Sequence, residues 1–419
     1  MTKKFLLLLF LALGLRLISI NQSLWLDEAI SAQVVKNYSY SDIVNKFSPS
    51  DFHPPLFYLT LNAWTTIFGF SEIALRLPSV IFSLITIYLV YRFFGFWPSI
   101  LLALNPLYLY YSQEARMYSM VSLFIFCAYL AFKSNKLLIY YLFVFLSLST
   151  FYGSVFCFAA ISLYWLFKKN YKNFFLYSLA PSLSFLILSP LLWQQYQTSR
   201  HLLVEVKNWS SVLGPANLKN ILLIVVKFTI GRISFYPKWI YYLISIIVSL
   251  PLWFILIKKT FNQRKVAFIF WTTLVIGFAF SIFTPMFQYF RFLYLIPFLC
   301  LILKKSYFYS IIFLLFSFVY LLSPQFHREN WKEMSNGLPD NIYMIISAAD
   351  PINYYRPDIK IHNLSSEIPT DYEITVLPYI SEIHGVDYLS RLKSLGYFQK
   401  EITSYSGPLT KEIWQKSVE

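Results

Sequence analysis

Acidic residues are scarce in this 419-residue chain, and their positions make them candidates for proton-transfer chemistry. Asp27 and Glu28 stand side by side after the first apolar run, and Glu114 stands alone in a short polar segment. A carboxylate at a water-exposed surface can act as a general base that takes a proton from a nucleophile. These three are therefore the candidate catalytic residues. Only seven acidic residues precede residue 323, and they are Asp27, Glu28, Asp42, Asp51, Glu72, Glu114 and Glu205.

Basic and aromatic residues near the same segments could bind an anionic or polar ligand. Guanidinium and ammonium groups hold anions through charge-assisted hydrogen bonds. Arg116 lies two residues after Glu114, and Arg291 lies within an aromatic run. The candidate binding residues are His53, Arg76, Arg116, Tyr118, Lys227, Tyr289 and Arg291.

Each of these residues, taken alone, also has a purely structural explanation. Asp27 and Glu28 at the start of a short helix can cap it and interact with its dipole. His53 precedes two prolines, a sequence typical of a rigid helix start. Arg76 and Arg291 can anchor helix ends at the membrane interface. No single residue is decisive, so the functional interpretation rests on the whole set.

Composition predicts the kind of fold that must position these residues. Hydrophobic residues make up 57% of the chain and charged residues 13%, against roughly a quarter charged in an average soluble domain. This predicts an α-helical polytopic membrane protein. In such proteins, positive charge mostly marks the loops that stay in the cytoplasm, and no basic run here is long enough to follow a phosphate backbone. We therefore expect no nucleic-acid partner.

The distribution of Lys and Arg predicts the topology, because these residues mark cytoplasmic helix ends. With Lys3 and Lys4 inside, the following loops obey the rule only if segment 54–69 lies at the interface instead of crossing. Segment 217–233 is interpreted in the same way, as a second interfacial or re-entrant helix. About eleven spans, each needing roughly 20 residues, are predicted. They are 5–20, 74–93, 95–111, 117–132, 137–151, 154–168, 173–192, 238–257, 266–284, 289–303 and 306–322.

This topology places the N-terminus in the cytoplasm and the loop 21–73, with most of the acids, on the extracytoplasmic side. Residues 1–20 also resemble a signal peptide, but Arg16 interrupts the expected cleavage region, which favours an uncleaved first helix. A polar extracytoplasmic loop is expected over 194–215. The abundance of Lys, Ile, Phe, Tyr and Asn suits an AT-rich bacterial genome, and hence a bacterial inner or plasma membrane.

The chain divides by composition into two predicted domains. Residues 1–322 form the transmembrane domain. Residues 323–419 are more polar and carry turn signals, so we expect a small extracytoplasmic α/β domain. Its strand-like runs are 341–347, 359–364 and 372–379, and its helix-like run is 382–395.

Four motifs within residues 20–120 carry a family resemblance. They are the Trp-x-Asp-Glu-Ala run around Asp27, His-Pro-Pro-Leu from His53, Phe-Gly-x-Ser-Glu-x-Ala-x-Arg-Leu-Pro-Ser over 68–79, and Ser-x-Glu-Ala-Arg-x-Tyr over 112–118. Together they resemble the dolichyl-phosphate-mannose protein mannosyltransferase-like superfamily. Its relatives include the lipid A aminoarabinose transferase and many bacterial glycosyltransferases of GT-C fold. The Arg-Phe-Leu-Tyr-Leu-Ile-Pro run over 291–297 is a weaker part of the same resemblance.

The resemblance implies a GT-C-like bundle and a glycosyltransferase. Such an enzyme moves a monosaccharide from a polyprenyl-phosphate-linked donor to an acceptor on the extracytoplasmic side, usually with inversion. Asp27 takes the position of the catalytic acidic residue. The implied partners are the donor lipid, the bilayer and a glycan, lipid or protein acceptor. The sequence shows no cysteine-framed lumenal module, which argues against a eukaryotic-type protein acceptor.

Glycosyl transfer needs a carboxylate for the acceptor's proton and positive groups for the departing phosphate. Asp27 is the expected base. Glu28, about 100° further round the helix, is expected to orient the sugar or a basic neighbour. Glu114 is expected to hold Arg116 or to bind sugar hydroxyls. Arg291 is the first choice for the phosphate.

The cofactor requirement and the alternative functions stay open at this point. A divalent cation bridging Asp27 and the phosphate is compatible with the chemistry but not required, and His53 is the nearest imidazole in sequence. One alternative is a glycan polymerase or ligase that uses polyprenyl-diphosphate donors. Another is a lipid-linked sugar transporter. Transporters place charges near the bilayer midplane and often contain inverted repeats, and the sequence predicts neither feature.

Overall fold

The computed structural model describes residues 3–208 and 212–417, and the side chains of 203–205 lie outside the described part. Glu205 therefore has no described carboxylate. The predicted fold class is confirmed, because the chain forms a mostly helical bundle followed by a small C-terminal sheet. The helices before residue 208 are α1 (Lys3–Leu17), α2 (Leu26–Asn37), α3 (Tyr40–Asp42), α4 (Leu56–Phe68), α5 (Glu72–Phe94), α6 (Phe96–Leu104), α7 (Pro106–Ser112), α8 (Tyr118–Lys133), α9 (Leu137–Leu148), α10 (Val155–Phe167) and α11 (Tyr171–Glu205).

The helices after residue 212 continue the bundle and then become short. They are α12 (Leu218–Ile230), α13 (Lys238–Thr260), α14 (Arg264–Phe280), α15 (Ile296–Leu303), α16 (Tyr307–Leu322), α17 (Trp331–Asn336), α18 (Asp350–Tyr355), α19 (Ser381–His384) and α20 (Tyr388–Ser394). Single turns of 3-10 or π helix occupy Ile43–Phe47, Ser48–Ser50, Tyr152–Ser154, Pro324–Phe326 and Ile346–Ala348, and a longer 3-10 segment, Tyr289–Leu295, leads into α15.

Membrane-spanning length is met by three helices in the described part of the chain: α5, α11 over Tyr171–Leu202, and α13. Five apolar helical segments are shorter, at 10 to 17 residues. They are Tyr118–Lys133, Leu137–Leu148, Tyr152–Phe167, Tyr289–Leu303 and Tyr307–Leu322. The predicted spans therefore correspond to a mixture of long helices and shorter or interrupted ones.

One predicted span, 95–111, is interrupted by a break at Asn105 and becomes the two helices α6 and α7. The Asn105 side chain accepts a hydrogen bond from the Tyr108 amide at 2.9 Å and donates one to the Phe228 carbonyl at 2.9 Å. Pro106 follows at the first position of α7, where its missing N–H leaves no hydrogen bond unmade. The break thus caps α7 and ties it to α12.

The prediction of a polar loop over 194–215 is wrong for its first half, because α11 continues to Glu205. Gln195 donates to the carbonyls of Ser48 at 2.7 Å and His53 at 3.0 Å, and Thr198 donates to the Pro49 carbonyl at 3.0 Å. The polar side chains of Gln195 and Thr198 are therefore explained by their hydrogen bonds to the 48–53 turn.

The predicted interfacial segment 54–69 forms α4, which packs against α2 and α5. Asn62 donates to the carbonyls of Val35 at 3.2 Å and Tyr38 at 3.3 Å, at the end of α2. Trp64 donates to the Ala74 carbonyl at 2.9 Å. The polar residues of α4 are thus used to fasten the helices that carry the acidic residues.

The C-terminal part contains a five-stranded mixed sheet in the order β2-β1-β3-β5-β4. β1 runs parallel to β2 and β3, whereas β5 runs antiparallel to β3 and β4. The strands are β1 (Asn341–Met344), β2 (Lys360–Asn363), β3 (Glu373–Leu377), β4 (Tyr397–Ser404) and β5 (Thr410–Lys416).

The sequence-based prediction for this part is correct for three strands and misses two. β1, β2 and β3 fall within the predicted strand-like runs, while β4 and β5 form an unpredicted hairpin. β4 is mostly exposed and polar, so its sequence lacks the apolar alternation that marks a half-buried strand. The predicted helix 382–395 is divided into α19 and α20 after Gly385, whose φ of +65° ends the first helix.

The C-terminal part docks against the turn that precedes α2. Tyr355 accepts a hydrogen bond from the Leu24 amide at 2.8 Å, and the Lys332 amide donates to the Ser23 hydroxyl at 3.0 Å. Leu26, the first residue of α2, packs against the apolar cluster around Trp331. The C-terminal part is therefore built onto the same turn that positions the first pair of acids.

Candidate active site

The two adjacent carboxylates, Asp27 and Glu28, lie in the first turn of α2, where negative charge interacts favourably with the helix dipole. Neither residue caps the helix, because Trp25 occupies the capping position and makes no side-chain hydrogen bond there. The Glu28 side chain is fully buried, whereas that of Asp27 is 34% exposed. The fold thus gives the two neighbours opposite environments.

Glu28 forms a buried, two-pronged ion pair with Arg76 of α5. Arg76 Nε donates to Oε1 at 2.8 Å, and Nη2 donates to Oε2 at 2.6 Å. The other donors of Arg76 reach the carbonyls of Ile20 at 2.7 Å, Gln22 at 2.6 Å and Ser23 at 3.0 Å. All five N–H groups of Arg76 are used inside the protein. The expectation that Arg76 binds a ligand is therefore revised, because it holds the turn between α1 and α2.

Glu28 also connects this ion pair to two other parts of the molecule. Its Oε1 accepts a hydrogen bond from the Ala115 amide at 2.8 Å, and its Oε2 lies 3.4 Å from Arg328 Nε. Burial opposes ionisation of Glu28, but Arg76 and Arg328 outweigh it, so the pKa of Glu28 is lowered. Glu28 is thus a structural anion that joins α5, the loop 113–117 and the C-terminal part.

Glu114 is buried in that same loop and has a different electrostatic situation. Its Oε2 lies 3.5 Å from Arg328 Nη2, and within residues 3–208 and 212–417 neither carboxylate oxygen receives a hydrogen bond. Burial raises the pKa of Glu114 to about 7, with the negative charge of Glu28 adding to the effect and Arg328 opposing it. The Glu114 side chain faces Arg328 instead of Arg116. Of the two roles expected for Glu114, the binding of sugar hydroxyl groups therefore stays open.

Arg116 faces Asp27 instead, with 3.8 Å between Nη2 and Oδ2. This long ion pair leads into a relay of polar contacts. Arg116 Nη1 donates to the Tyr58 hydroxyl at 3.1 Å, and that hydroxyl donates to Asp51 Oδ2 at 2.9 Å. His53 Nδ1 lies 3.5 Å from Asp51 Oδ1. His53 therefore reaches the site indirectly, at the far end of the relay.

The relay keeps Asp51 ionised inside the protein. Burial opposes its ionisation, but His53 and Arg116 outweigh that effect and lower the pKa of Asp51. The same burial, together with Asp51, raises the pKa of the Tyr58 hydroxyl, which stays protonated and serves as a donor. The Tyr58 hydroxyl of α4 thereby binds one side of the Arg116 guanidinium.

Tyr118 and Arg291 lie on the other side of Arg116. Tyr118 is within electrostatic range of Arg116, Glu114, Asp27 and Arg291. Its ring packs 5.8 Å from the Phe290 ring, and the guanidinium of Arg291 lies 5.8 Å from the centroid of that same ring. Arg291 Nη1 also donates to the Leu213 carbonyl at 3.1 Å. Arg291 is thus related to the carboxylate cluster through Tyr118, which interacts electrostatically with both.

Lys227 and Tyr289 lie further out, around a cation that the sequence analysis did not select, Arg232. Lys227 Nζ donates to the Ile233 carbonyl at 3.0 Å and the Tyr241 hydroxyl at 3.3 Å. Burial lowers the pKa of Lys227 to about 7, and Arg232 adds to the effect. Tyr289 is within electrostatic range of Arg232. Lys227 is therefore not a direct partner of the carboxylates.

Sequence reasoning missed several residues that the fold adds to the site. Arg328 lies between Glu28 and Glu114. It follows the last apolar helix directly, on the side of the membrane predicted for the acids, and this position is the sequence signal that could have identified it. Arg232 was visible as an unusual charge in an apolar segment. Asp51 was counted among the seven acids, but nothing in the sequence relates it to Tyr58.

The same geometry bears on whether the site could hold a metal ion. Across the described ranges, no group of three or more His, Cys, Asp and Glu side chains is arranged to hold a metal ion. The imidazole of His53, the one nearest to Asp27 in sequence, faces Asp51. Arg116 and Tyr58 therefore lie between the carboxylate of Asp27 and the Asp51–His53 contact.

The fold places the chain in a structural class. It is a GT-C-like helical membrane bundle with a small C-terminal α/β part, as the resemblance predicted. The whole chain is similar to the crystal structure of ArnT from Cupriavidus metallidurans in the apo state, with a TM-score of 0.57 and 10% sequence identity over 98% of this chain and 97% of that one. ArnT from the same organism bound to undecaprenyl phosphate aligns with a TM-score of 0.46 and 12% identity, again over 98% and 97% of the two chains.

Comparison at the level of sequence gives no match. No protein-family model and no curated protein matches the chain. At 10% identity, the structural similarity shows a shared fold. The activity therefore has to be argued from the site itself.

Proposed function

We propose that this chain is a membrane glycosyltransferase that moves a monosaccharide from a polyprenyl-phosphate-linked donor to an acceptor hydroxyl. The site would face the extracytoplasmic side, with the N-terminus in the cytoplasm and residues 323–419 as an extracytoplasmic domain. Transfer would invert the anomeric centre. The four motifs within residues 20–120 support this proposal, and the shared fold agrees with it.

The observation that carries the proposal is the difference between the two adjacent acids. Asp27 is partly exposed and faces Arg116 at 3.8 Å, while Glu28 is buried and fully engaged. A base must be accessible to the acceptor and must be free to take a proton. Asp27 meets both conditions, and Glu28 meets neither.

In the proposed reaction, the acceptor hydroxyl attacks the anomeric carbon from the face opposite the phosphate. The new carbon–oxygen bond forms as the bond to the phosphate oxygen breaks, and the phosphate leaves with the bonding electrons. The carboxylate of Asp27 takes the proton of the acceptor hydroxyl. Polyprenyl phosphate and the new glycoside are the two products.

The departing phosphate needs positive groups that gain interaction energy as its charge develops. Arg116 and Arg291 flank Tyr118 and are our candidates, because within the residues that the structure describes each retains N–H donors without a protein acceptor. For Arg116 this donor is Nε. Glu114, whose oxygens receive no hydrogen bond within the described ranges, would accept hydroxyl groups of the sugar.

The test is transfer of a sugar from a synthetic polyprenyl-monophosphate donor by the purified full chain, with and without Asp27→Asn. Loss of a general base lowers a rate by about 10²–10⁴-fold, and we expect an effect in that range. Asp42→Asn is the matched control, because Asp42 lies in the same loop and its carboxylate contacts exposed Lys46 at 2.6 Å and the Ser39 hydroxyl at 2.7 Å, away from the cluster. Its activity should match that of the wild type.

Two results would contradict the proposal. Full activity in a well-folded Asp27→Asn protein would remove the base assignment. Consumption of diphosphate-linked donors alone would favour a polymerase or ligase.

A further inference from the structure

The two ends of the helical bundle differ in the charged residues that they carry. Near the start of α5, Arg76 binds Glu28 of the carboxylate cluster, and at the end of α5 the Phe94 ring centroid lies 4.2 Å from Lys133 Nζ. At about 1.5 Å per residue, the stretch of α5 from Arg76 to Phe94 is roughly 27 Å long, which is close to the thickness of the hydrocarbon core of a bilayer. The carboxylate cluster and Lys133 therefore lie at opposite ends of a helix of membrane-spanning length.

Five connections between helices lie at the end that contains Lys133, and we call them together the lysine face. These connections contain twelve Lys and Arg residues and no Asp or Glu, and they are 92–97, 133–137, 168–172, 257–265 and 303–307. The lysines that form an ion pair in residues 3–208 and 212–417 are Lys46, Lys332 and Lys400, and none of them belongs to the lysine face. In the described part of the chain, the lysines of this face are therefore not neutralised by an acid.

One pair of lysines on this face joins the end of α8 to the start of α14. Lys265 Nζ lies 3.9 Å from the centroid of the Phe132 ring, and Phe132 directly precedes Lys133. The two ammonium groups are close enough to interact electrostatically. Two like charges from different helices are thus held next to each other.

A second group of lysines joins the ends of α13 and α15. Lys259 Nζ donates hydrogen bonds to the main-chain carbonyls of Leu303 and Lys305, and its charge interacts with that of Lys304. Lys305 Nζ lies 5.4 Å from the centroid of the Trp97 ring. Three ammonium groups and an indole ring therefore share one small area.

The general preference of Lys and Arg for cytoplasmic helix ends explains why these residues are present. It does not explain the placement of Lys259 and Lys265, which are partly buried and lie next to another lysine. Partial burial and a neighbouring like charge both raise the free energy of an ammonium group. An anion bound to the lysine face would offset both effects.

The surroundings of the lysines indicate what kind of anion fits. Lys258 Nζ lies 4.4 Å from the centroid of the Phe254 ring, and Phe254 is exposed on the side of α13. Tyr307 and Phe308, which begin α16 just after Lys305, are exposed as well. A partner that satisfies this surface carries a negative group for the lysines and apolar chains for the adjoining rings. A phospholipid with a net negative charge has both, whereas a soluble anion has only the first.

We propose that the lysine face binds the headgroups of anionic phospholipids of the surrounding membrane, and that Lys259, Lys304 and Lys305 form its tightest site. Trp97 would lie at the level of the headgroups, where indole rings are favoured. By the predicted topology this is the cytoplasmic leaflet, opposite the carboxylate cluster. The proposal depends on the membrane assignment and is independent of the reaction that we propose at the other end.

Native mass spectrometry of the purified full chain in detergent tests the proposal without turnover. Phosphatidylglycerol and phosphatidylcholine with the same acyl chains are titrated, and the apparent dissociation constant of each lipid is measured. We expect phosphatidylglycerol to bind more tightly. A lysine near a membrane surface contributes roughly a fivefold gain in affinity, so combining Lys259→Gln, Lys304→Gln and Lys305→Gln should weaken phosphatidylglycerol binding about tenfold or more.

Two further variants separate the loss of charge from a loss of folding. Replacing the same three lysines by arginine keeps the charge and should keep the preference for phosphatidylglycerol. The double variant Lys304→Gln and Lys305→Gln changes two exposed side chains and leaves the contacts of Lys259 intact. It should fold even if the triple variant does not, and it should weaken binding about fivefold or more.

The matched control removes three exposed lysines that lie outside the lysine face, through Lys36→Gln, Lys360→Gln and Lys393→Gln. Its affinity for phosphatidylglycerol should equal that of the wild type. An equal loss in this control would overturn the proposal, since total charge would then decide binding. Equal affinities of the wild type for the two lipids, or a preference that keeps its full strength in the double variant, would also overturn it. Because no sugar transfer is measured, a failure of the proposed function would leave these results unchanged.

Discussion

Two of the carboxylate–arginine pairs in the site differ in distance, burial and hydrogen bonding. Glu28 and Arg76 are fully buried, meet at 2.6 and 2.8 Å, and use all five arginine donors. Asp27 and Arg116 are 3.8 Å apart, and Asp27 is 34% exposed. The first pair is a closed structural unit, and the second is the pair for which we propose a role in catalysis.

In the proposed enzyme, one dipeptide serves both stability and chemistry. Adjacent residues on a helix point in directions about 100° apart, so the packing around α2 buries only one of them. Glu28 becomes the centre of a buried network. Asp27 stays at the open face, where Tyr58 and Asp51 hold Arg116 from behind.

Among substitutions in the two pairs, Glu28→Gln should have the largest effect, which is a loss of stability. Removing one partner of a buried ion pair costs about 3–5 kcal/mol, because the remaining charge is left uncompensated. Here both Arg76 and Arg328 would lose their shared anion. The measurement is the thermal unfolding midpoint of the detergent-solubilised chain, which should fall clearly.

The matched control is Glu72→Gln. Its ion pair with Lys332 is 2.9 Å long, but the lysine is 55% exposed, and such pairs contribute about 0–1 kcal/mol. An equal loss of stability in both variants would mean that the buried contacts of Glu28 stabilise the protein no more than an exposed ion pair does.

The next effect concerns the pH dependence of stability and comes from Glu114. Its pKa is about 7 in the folded protein, above the usual carboxyl value of 4.5, so folding favours the protonated form. Its contribution is therefore fully present below pH 4.5 and is lost as the pH rises through 7. The unfolding midpoint of the wild type should fall over this window relative to that of Glu114→Gln. Parallel curves for the two proteins would show that Glu114 titrates normally.

A smaller effect is expected from loosening the reactive pair through Tyr58→Phe. This change removes the hydroxyl between Arg116 and Asp51, a loss of about 0.5–1.5 kcal/mol per hydrogen bond. We expect a several-fold rise in KM for the polyprenyl-phosphate donor, together with a fall in the unfolding midpoint that is smaller than the fall in Glu28→Gln. Tyr40→Phe, at an exposed tyrosine of the same loop, is the control. A drop in stability without a change in KM would make Tyr58 a packing residue only.

The last prediction concerns the side of the membrane on which both pairs lie. The substitutions that test it should leave activity and stability unchanged. A cysteine at the exposed position of Phe70, just after α4, should react with an impermeant thiol reagent added outside intact cells. Ser134→Cys, between α8 and α9, should react only after permeabilisation. Reversed labelling would show that segment 54–69 crosses the membrane.

Much of the fold followed from the sequence, because long apolar runs and charge asymmetry are local signals. The helical bundle and the first three strands were predicted correctly. The extension of α11 to Glu205 was missed, since its polar residues contact the 48–53 turn, which lies far away in sequence. The β4–β5 hairpin was missed because an exposed strand carries little apolar alternation.

The set of candidate residues also followed from the sequence, but the partners within the set did not. Asp27, Glu28, Glu114, Arg116 and Tyr118 do lie together. Arg328, which lies beside both Glu28 and Glu114, enters from a part of the chain about 200 residues or more away, and a sequence alone does not give such distances.

The amino-acid sequence by itself thus determined the class of molecule: a membrane bundle with rare carboxylates gathered in a few polar segments. These properties depend on composition and local order. Only the tertiary structure decided which carboxylate is neutralised and which is left accessible, because that depends on which guanidinium groups packing brings within about 4 Å.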